Sequence, residues 1–248
     1  GLCIKFLKQF RIEIFSHVVR IGPAGFDTYY VPSNLQKTRI DAEKSPVRCS
    51  NKKIEANMIK AIDAAKEEGD TLGGLIQVVA TGLPVGLGSY VHWDKKLDSR
   101  IAQSIMSIPA IKSVEIGLGK EVAYIPGSKV HDEITPKHNA EGHYYRKTNN
   151  AGGLEGGMTN GEPLIIHASM KPIPTLKKPL ESVNIQTGES HTAHYERSDV
   201  CAVPAAGVVC EAMLAYTLAN AMIEKFGGDS IKEMTANYNH YLKMCKKD

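Results

Sequence analysis

Four stretches of this 248-residue chain carry residue types that can do chemistry. In Glu196-Arg197-Ser198-Asp199-Val200-Cys201-Ala202-Val203-Pro204-Ala205, a guanidinium and a carboxylate stand two residues apart, ahead of a helix that Pro204 opens. Such a junction turns backbone N–H groups and a positive dipole end toward an anion. An arginine there can fork onto phosphate or carboxylate, and the aspartate can act as a base or hold a partner. Ordinary capping with an N-terminal salt bridge explains the same residues, so on chemistry alone both readings stand. Lys171-Pro172-Ile173-Pro174-Thr175 sets a cation on a stiff segment. Thr148-Asn149-Asn150-Ala151-Gly152-Gly153-Leu154-Glu155-Gly156-Gly157-Met158-Thr159-Asn160-Gly161 holds five glycines from Gly152 onward. Each costs chain entropy on folding, which favours a backbone that must approach a ligand, although a series of tight turns is the competing explanation. Asp70-Thr71-Leu72-Gly73-Gly74, followed by Gly82-Leu83-Pro84-Val85-Gly86-Leu87-Gly88-Ser89, completes the set.

None of these stretches has the spacing of a dinucleotide or P-loop glycine motif, and no Gly-x-Ser-x-Gly marks a serine hydrolase. His131, His138 and His143 share one polar region, and His191 and His194 are three apart, but without His-Glu-x-x-His they read as surface or structural residues, and no metal is expected. The five cysteines are scattered and odd in number, which argues against a disulfide framework or zinc site and for a reducing, cytoplasmic setting. Net charge is +3 and only 6% of residues are aromatic, so anionic small ligands suit the chain and nucleic acid is not expected. No apolar run is read as reaching the ~18 to 20 residues of a membrane span, and no membrane partner is expected.

The elements that must position these groups follow from periodicity. The first ten residues read as the end of an amphipathic helix, and Ile12 to Ile21 as a strand closed by Gly22-Pro23. Asp27 to Ser50 is loop or short helix. Ile54, Met58, Ile59, Ile62 and Ala65 predict a helix stopped by Gly69, and Leu75 to Ala80 a buried strand. Asp94 is expected to cap a helix whose inner face is Leu97, Ile101, Ile105 and Ile108, ended by Pro109. Ile111 to Ile116 is a strand. Gly117 to Asn150 is a long polar loop, of the kind that serves as a lid. Leu164 to Met170 and Val183 to Gln186 are further strands. Val208, Val209, Ala212, Met213, Tyr216, Ala219, Met222 and Ile223 recur at helical spacing before Gly227-Gly228. Ser230 and Glu233 have capping-box spacing for a last helix that buries Ile231, Met234, Tyr238, Leu242 and Cys245. The class is α+β, or layered α/β, in a single domain over residues 1–248.

Taken in order, these segments resemble chorismate synthases. The resemblance runs from Glu13-Ile14-Phe15-Ser16-His17-Val18-Val19-Arg20-Ile21-Gly22 through Asp94-Lys95-Lys96-Leu97-Asp98, Met106 to Gly117 and His131-Asp132-Glu133 to the last helices. It implies a helical layer sandwiched between antiparallel sheets, in a homotetramer. The implied reaction is a 1,4-anti elimination of phosphate from 5-enolpyruvylshikimate 3-phosphate that gives chorismate with reduced FMN. The flavin's reductant is NADPH used by the enzyme itself or a separate reductase, and the sequence leaves both open. The family's catalytic histidines, upstream arginines and first flavin segment have no counterparts here, so the domain is expected to be incomplete at its N-terminus and insoluble or inactive alone. A non-catalytic flavin- or phosphate-binding fragment is the alternative. By resemblance, flavin contacts fall at Pro109, Ala110, Gly156, Lys171, Pro172, Ile173, Pro174, Thr175 and Arg197, and Asp199 matches the acidic residue that assists proton transfer.

Overall fold

The computed structural model describes residues 1–26, 32–138 and 144–245. Helix α1 (Leu2–Lys8) turns through Arg11, which has a φ of 61°, into strand β1 (Glu13–Ile21). A tight turn at Gly22-Pro23 returns the chain as the short strand β2 (Ala24–Gly25), and Arg20 clamps it by donating to the Pro23 and Phe26 carbonyls. Two asparagines then start two helices. Asn34 caps α2 (Leu35–Lys44), and Asn51 accepts from Lys53 N and Ile54 N to cap α3 (Lys52–Glu68), which Gly69 ends at a φ of 73°.

Strand β3 (Gly74–Thr81), helix α4 (Leu97–Met106) and strand β4 (Ile111–Ile116) follow. Beyond them lie a 3-10 turn at Gly119–Tyr124, the one-turn helix α5 (Gly127–Val130) and the ribbon of β5 (Ile134–His138) with β6 (Tyr144–Arg146). A second ribbon pairs β7 (Leu154–Glu155) with β8 (Met158–Thr159), and β9 (Leu164–Met170) leads toward a third, β10 (Glu181–Val183) with β11 (Ser190–Thr192). Helices α6 (Val203–Phe226) and α7 (Ile231–Met244) close the chain.

The class is α+β. Five strands form one antiparallel sheet in the order β2-β1-β3-β9-β4. Because side chains alternate across a strand, the register divides the sheet into two faces. Ile14, Val18, Ile76, Val78, Leu164, Ile166 and Ala168 meet the buried sides of α1, α4 and α6 in the main core. Phe15, Val79 and Ile165 lie on the other face with Leu35 of α2. The main core is locked across long range by Glu211 of α6. Its Oε1 accepts from Ser16 N at 2.8 Å, Ser16 Oγ at 2.7 Å and Arg48 at 2.6 Å.

Several expectations change. Asp94 does not cap α4: Lys96 holds that position without a side-chain bond, and Asp94 accepts from His92 Nδ1 instead. The strand expected at Val183 to Gln186 is Glu181–Val183, because Asn184 begins the turn, its Oδ1 accepting from Gln186 N. The polar stretch after Gly117 is a chain of short elements. Asp132 ties it to the glycine loop, accepting from Thr148 Oγ1, Asn150 N and Ala151 N. Its segment 139–143, with His143, lies outside the described residues.

Of the apolar residues that recur at helical spacing on α6, Val208, Val209, Tyr216 and Ile223 are exposed, whereas Ala219 and Met222 are buried. Cys210, Leu214, Leu218 and Ala221 complete the buried side. Apolar residues fill both sides of this helix, so periodicity alone does not pick the buried one. For the same reason α6 is one helix long and apolar enough to cross a membrane, with a mean hydropathy of 1.5, contrary to the expectation above. More than half of that window is buried within the protein, as a core helix requires. On α7 the capping box of Ser230 and Glu233 forms, Met234 and Tyr238 are buried and Leu242 is half-buried. Ile231 and Cys245 are exposed.

Candidate active site

Strand β9 ends between the first residues of its two neighbours, Met170 pairing with Gly74 of β3 and Ile111 of β4. Whatever follows Met170 therefore emerges at that end of the sheet. Lys171 N donates to Ala110 O at 2.9 Å, which joins the expected contacts at 109–110 and 171–175. Ala110 adopts a φ of 68°, a left-handed conformation that costs a non-glycine residue about 1 kcal/mol or more and is held by its surroundings. Gly73 supplies the space: a Cβ there would press into the Met170 carbonyl and lie 2.9 Å from Pro172 N.

The link between α3 and β3 gathers the remaining candidates. Thr71 Oγ1 donates to Ile173 O at 2.6 Å, and Leu72 N donates to Val200 O at 2.8 Å. Leu72 and Cys201 form a parallel bridge, and Ser198 Oγ donates to Thr175 O at 2.8 Å. The result is a cavity of about 270 Å³ lined by Thr175, Arg197 and Asp199, together with Lys66, Asp70, Thr71 and Lys177. Three cationic side chains, Lys66, Lys177 and Arg197, thus surround one space with two carboxylates, a donor set suited to an anionic ligand. Its wall comes from the C-terminal end of α3, not from the first turn of α6 as the junction reading expected. Three residues, 200–202, separate Asp199 from α6.

Other candidates lie elsewhere. Pro109, Lys171, Pro172 and Pro174 are exposed and Ile173 is half-buried, and none of them lines this cavity. Gly156 sits in the β7–β8 turn with open space where a Cβ would be. The adjoining Gly157 accepts from Leu97 N at the start of α4, whereas Ala110 follows the end of α4, about 15 Å of helix away. His131 is exposed, and His191 Nδ1 bonds its neighbour's carbonyl at Thr192. Among the described residues no three His, Cys, Asp or Glu side chains group as metal ligands.

One constellation escaped the sequence reading. On the sheet face turned away from α6, His17 Nε2 donates to Gln77 Oε1 at 2.9 Å, and Gln77 Nε2 donates to His167 Nε2 at 2.8 Å. His17 and Gln77 have no exposed surface, and burial holds the His17 imidazole down at about 4. Burial first, and then the neighbouring His17, hold His167 at about 4 as well, against a hydrogen bond to the Gly117 backbone. Polar residues inside otherwise apolar strands were its only trace in the sequence.

Comparison with known proteins agrees with this architecture. The family model described as chorismate synthase matches residues 1–223. A chorismate synthase of Carboxydothermus hydrogenoformans is 53% identical over 238 residues, covering 96% of this chain and 60% of that protein. Chorismate synthase 1 of Bacillus anthracis is 51% identical over 242 residues, covering 97% and 61%. A crystal structure of a chorismate synthase superposes with a TM-score of 0.83 at 41% identity, covering 98% of this chain and 66% of that one. The chain thus spans about three fifths of the length of the curated relatives it matches. With the family model matching residues 1–223, the chain belongs to the chorismate synthase family.

Proposed function

We propose that this chain carries the flavin-binding part of a chorismate synthase site and, as such an enzyme, takes part in the 1,4-anti elimination of phosphate from 5-enolpyruvylshikimate 3-phosphate. The observation that carries this reading is the convergence of Thr175, Arg197 and Asp199 with Lys66 and Lys177 around one cavity. The glycine at position 73, which leaves room for the Lys171-Pro172 backbone, and the cationic lining fit a phosphorylated cofactor. Reduced FMN, when bound, would supply electron density that weakens the C–O bond to the departing phosphate, with no net redox change. Lys171, Lys66 and Arg197 neutralise anionic groups of cofactor or substrate. Thr175 offers a hydroxyl and a backbone N–H. Asp199 supplies a carboxylate oxygen that assists the transfer of the proton the ring loses as phosphate leaves. By the resemblance, backbone of Gly156, Pro109 and Ala110 would also contact the cofactor, with Gly156 and Ala110 at opposite ends of α4. The same reading carries a homotetrameric, cytoplasmic enzyme whose flavin NADPH or a separate reductase keeps reduced.

The test is phosphate release with reduced FMN and 5-enolpyruvylshikimate 3-phosphate, alongside calorimetric titration of reduced FMN. Flavin-dependent release supports the reading. Flavin binding without release points to the alternative, a non-catalytic flavin-binding chain, which the exposure of Arg197 and Asp199 also suits. Neither binding nor release refutes both.

A further inference from the structure

The two segments that carry the candidate cofactor groups lie outside the ladders of the five-stranded sheet. Residues 171–175 have left β9, and 197–199 stop short of α6. A segment without a ladder is mobile unless other bonds order it. Lys171 N is held at Ala110 O, and beyond it the bonds come from three residues between α3 and β3. Leu72 fastens the second segment through its own backbone, at Val200 O and beside Cys201. Thr71 fastens the first through its side chain, the hydroxyl lying 2.6 Å from Ile173 O. Its backbone N–H is in turn held at 2.8 Å by Asp70 Oδ1, and the residue is 7% exposed, so backbone and hydroxyl are each anchored. Ser198 Oγ at Thr175 O then ties the two segments to each other.

We propose that Thr71 is a positioning residue of this site: its hydroxyl sets the path of the Ile173–Thr175 backbone so that Thr175 faces the same cavity as Arg197. This rests on the reading of the cavity as a flavin site. The hydroxyl acts through the Ile173 carbonyl and needs no contact with the ligand.

The side chain allows a clean test, since valine keeps the shape and removes the hydroxyl while serine keeps the hydroxyl. In the full chain, Thr71→Val is expected to weaken reduced FMN about tenfold, the effect of one lost hydrogen bond that leaves a carbonyl unsatisfied. In turnover the flavin KM rises while kcat at saturating flavin holds. Thr71→Ser is expected to regain most of the affinity. Hydrogen exchange at the amides of Ile173, Thr175 and Lys177 should quicken in Thr71→Val and return in Thr71→Ser. Unchanged flavin affinity in Thr71→Val, or a Thr71→Ser protein as weak as Thr71→Val, overturns the proposal. If the unmodified chain binds no flavin, the function above fails and the exchange readout decides the positioning role: quickening confined to 173–177 and reversed by serine sustains it, and unchanged exchange ends it.

Discussion

Replacing Gln77 by leucine takes out the middle of the line from His17 to His167. The amide makes one bond of 2.9 Å and one of 2.8 Å, both within the sheet face that α2 covers. Leucine removes both, leaving a buried donor at His17 and a buried acceptor at His167 without that partner. Each such loss costs about 1–3 kcal/mol, so the pair costs about 2–6 kcal/mol, and the apolar gain of the leucine offsets about 1 kcal/mol. For a domain of this size each kcal/mol lowers Tm by about 2–4 °C, so the net loss of about 1–5 kcal/mol corresponds to a fall of roughly 2–20 °C in calorimetry at pH 7. The same burial makes a second, independent readout. Both imidazoles sit at about 4 when folded and near 6.5 when unfolded. Between those values the unfolded chain binds more protons, so stability is complete above pH 6.5 and declines as pH falls toward about 4. The loss amounts to about 3 kcal/mol per imidazole and adds nothing below that window. Side-chain NMR of the two histidines should therefore show neutral rings from pH 7.5 to 5.5. A Gln77→Leu protein that melts with the parent, or either ring titrating near 6.5, would refute the reasoning.

Arg197→Ala should weaken reduced FMN or substrate by ~10–100-fold in calorimetric titration, because a charge-assisted contact to an oxyanion is lost. Unchanged affinity for both would make Arg197 a structural residue. Asp199→Asn should bind flavin as before and slow phosphate release by about 10²-fold or more, and full turnover in the folded variant would remove Asp199 from the proton path. Gly73→Ala forces a Cβ against Met170 O and Pro172 N, so flavin affinity should drop while the far-UV spectrum stays that of the parent. Ser230→Ala breaks the capping box of α7 and should cost about 1 kcal/mol, read as the shift in a urea midpoint.

Local chemistry made much of this fold visible before any coordinates. Gly69 stops α3, Leu97, Ile101 and Ile105 line one side of α4, and Ser230 caps α7 because each signal involves residues a few positions apart. Composition also marked out the segments around Lys171 and Arg197, and the resemblance gave them roles. What stayed hidden depends on register and on neighbours far away in sequence. Lys66 and Thr71 reach the cavity because α3 ends beside the segment that follows β9, where Lys178 N donates to Gly69 O, and nothing in residues 66–71 announces it. His17, Gln77 and His167 align only once three strands are paired. Asp94 carried a capping signal that its bond to His92 diverts, and α6 offered apolar residues on every side.

The contact of Glu211 with Ser16 has a consequence for how the chain is made. The two residues are 195 positions apart, so β1 waits for α6 before its inner face is fully covered. At ribosomal speeds of ~5–20 residues per second, that interval lasts roughly 10–40 s. Until α6 arrives, the part of the face around Ile14 and Val18 that this helix covers stays open. A nascent chain in that state is a substrate for holding chaperones, and its final collapse is set by one long loop closure. Synthesis slowed ahead of residue 203 lengthens this exposure, so codon choice in that stretch bears on yield.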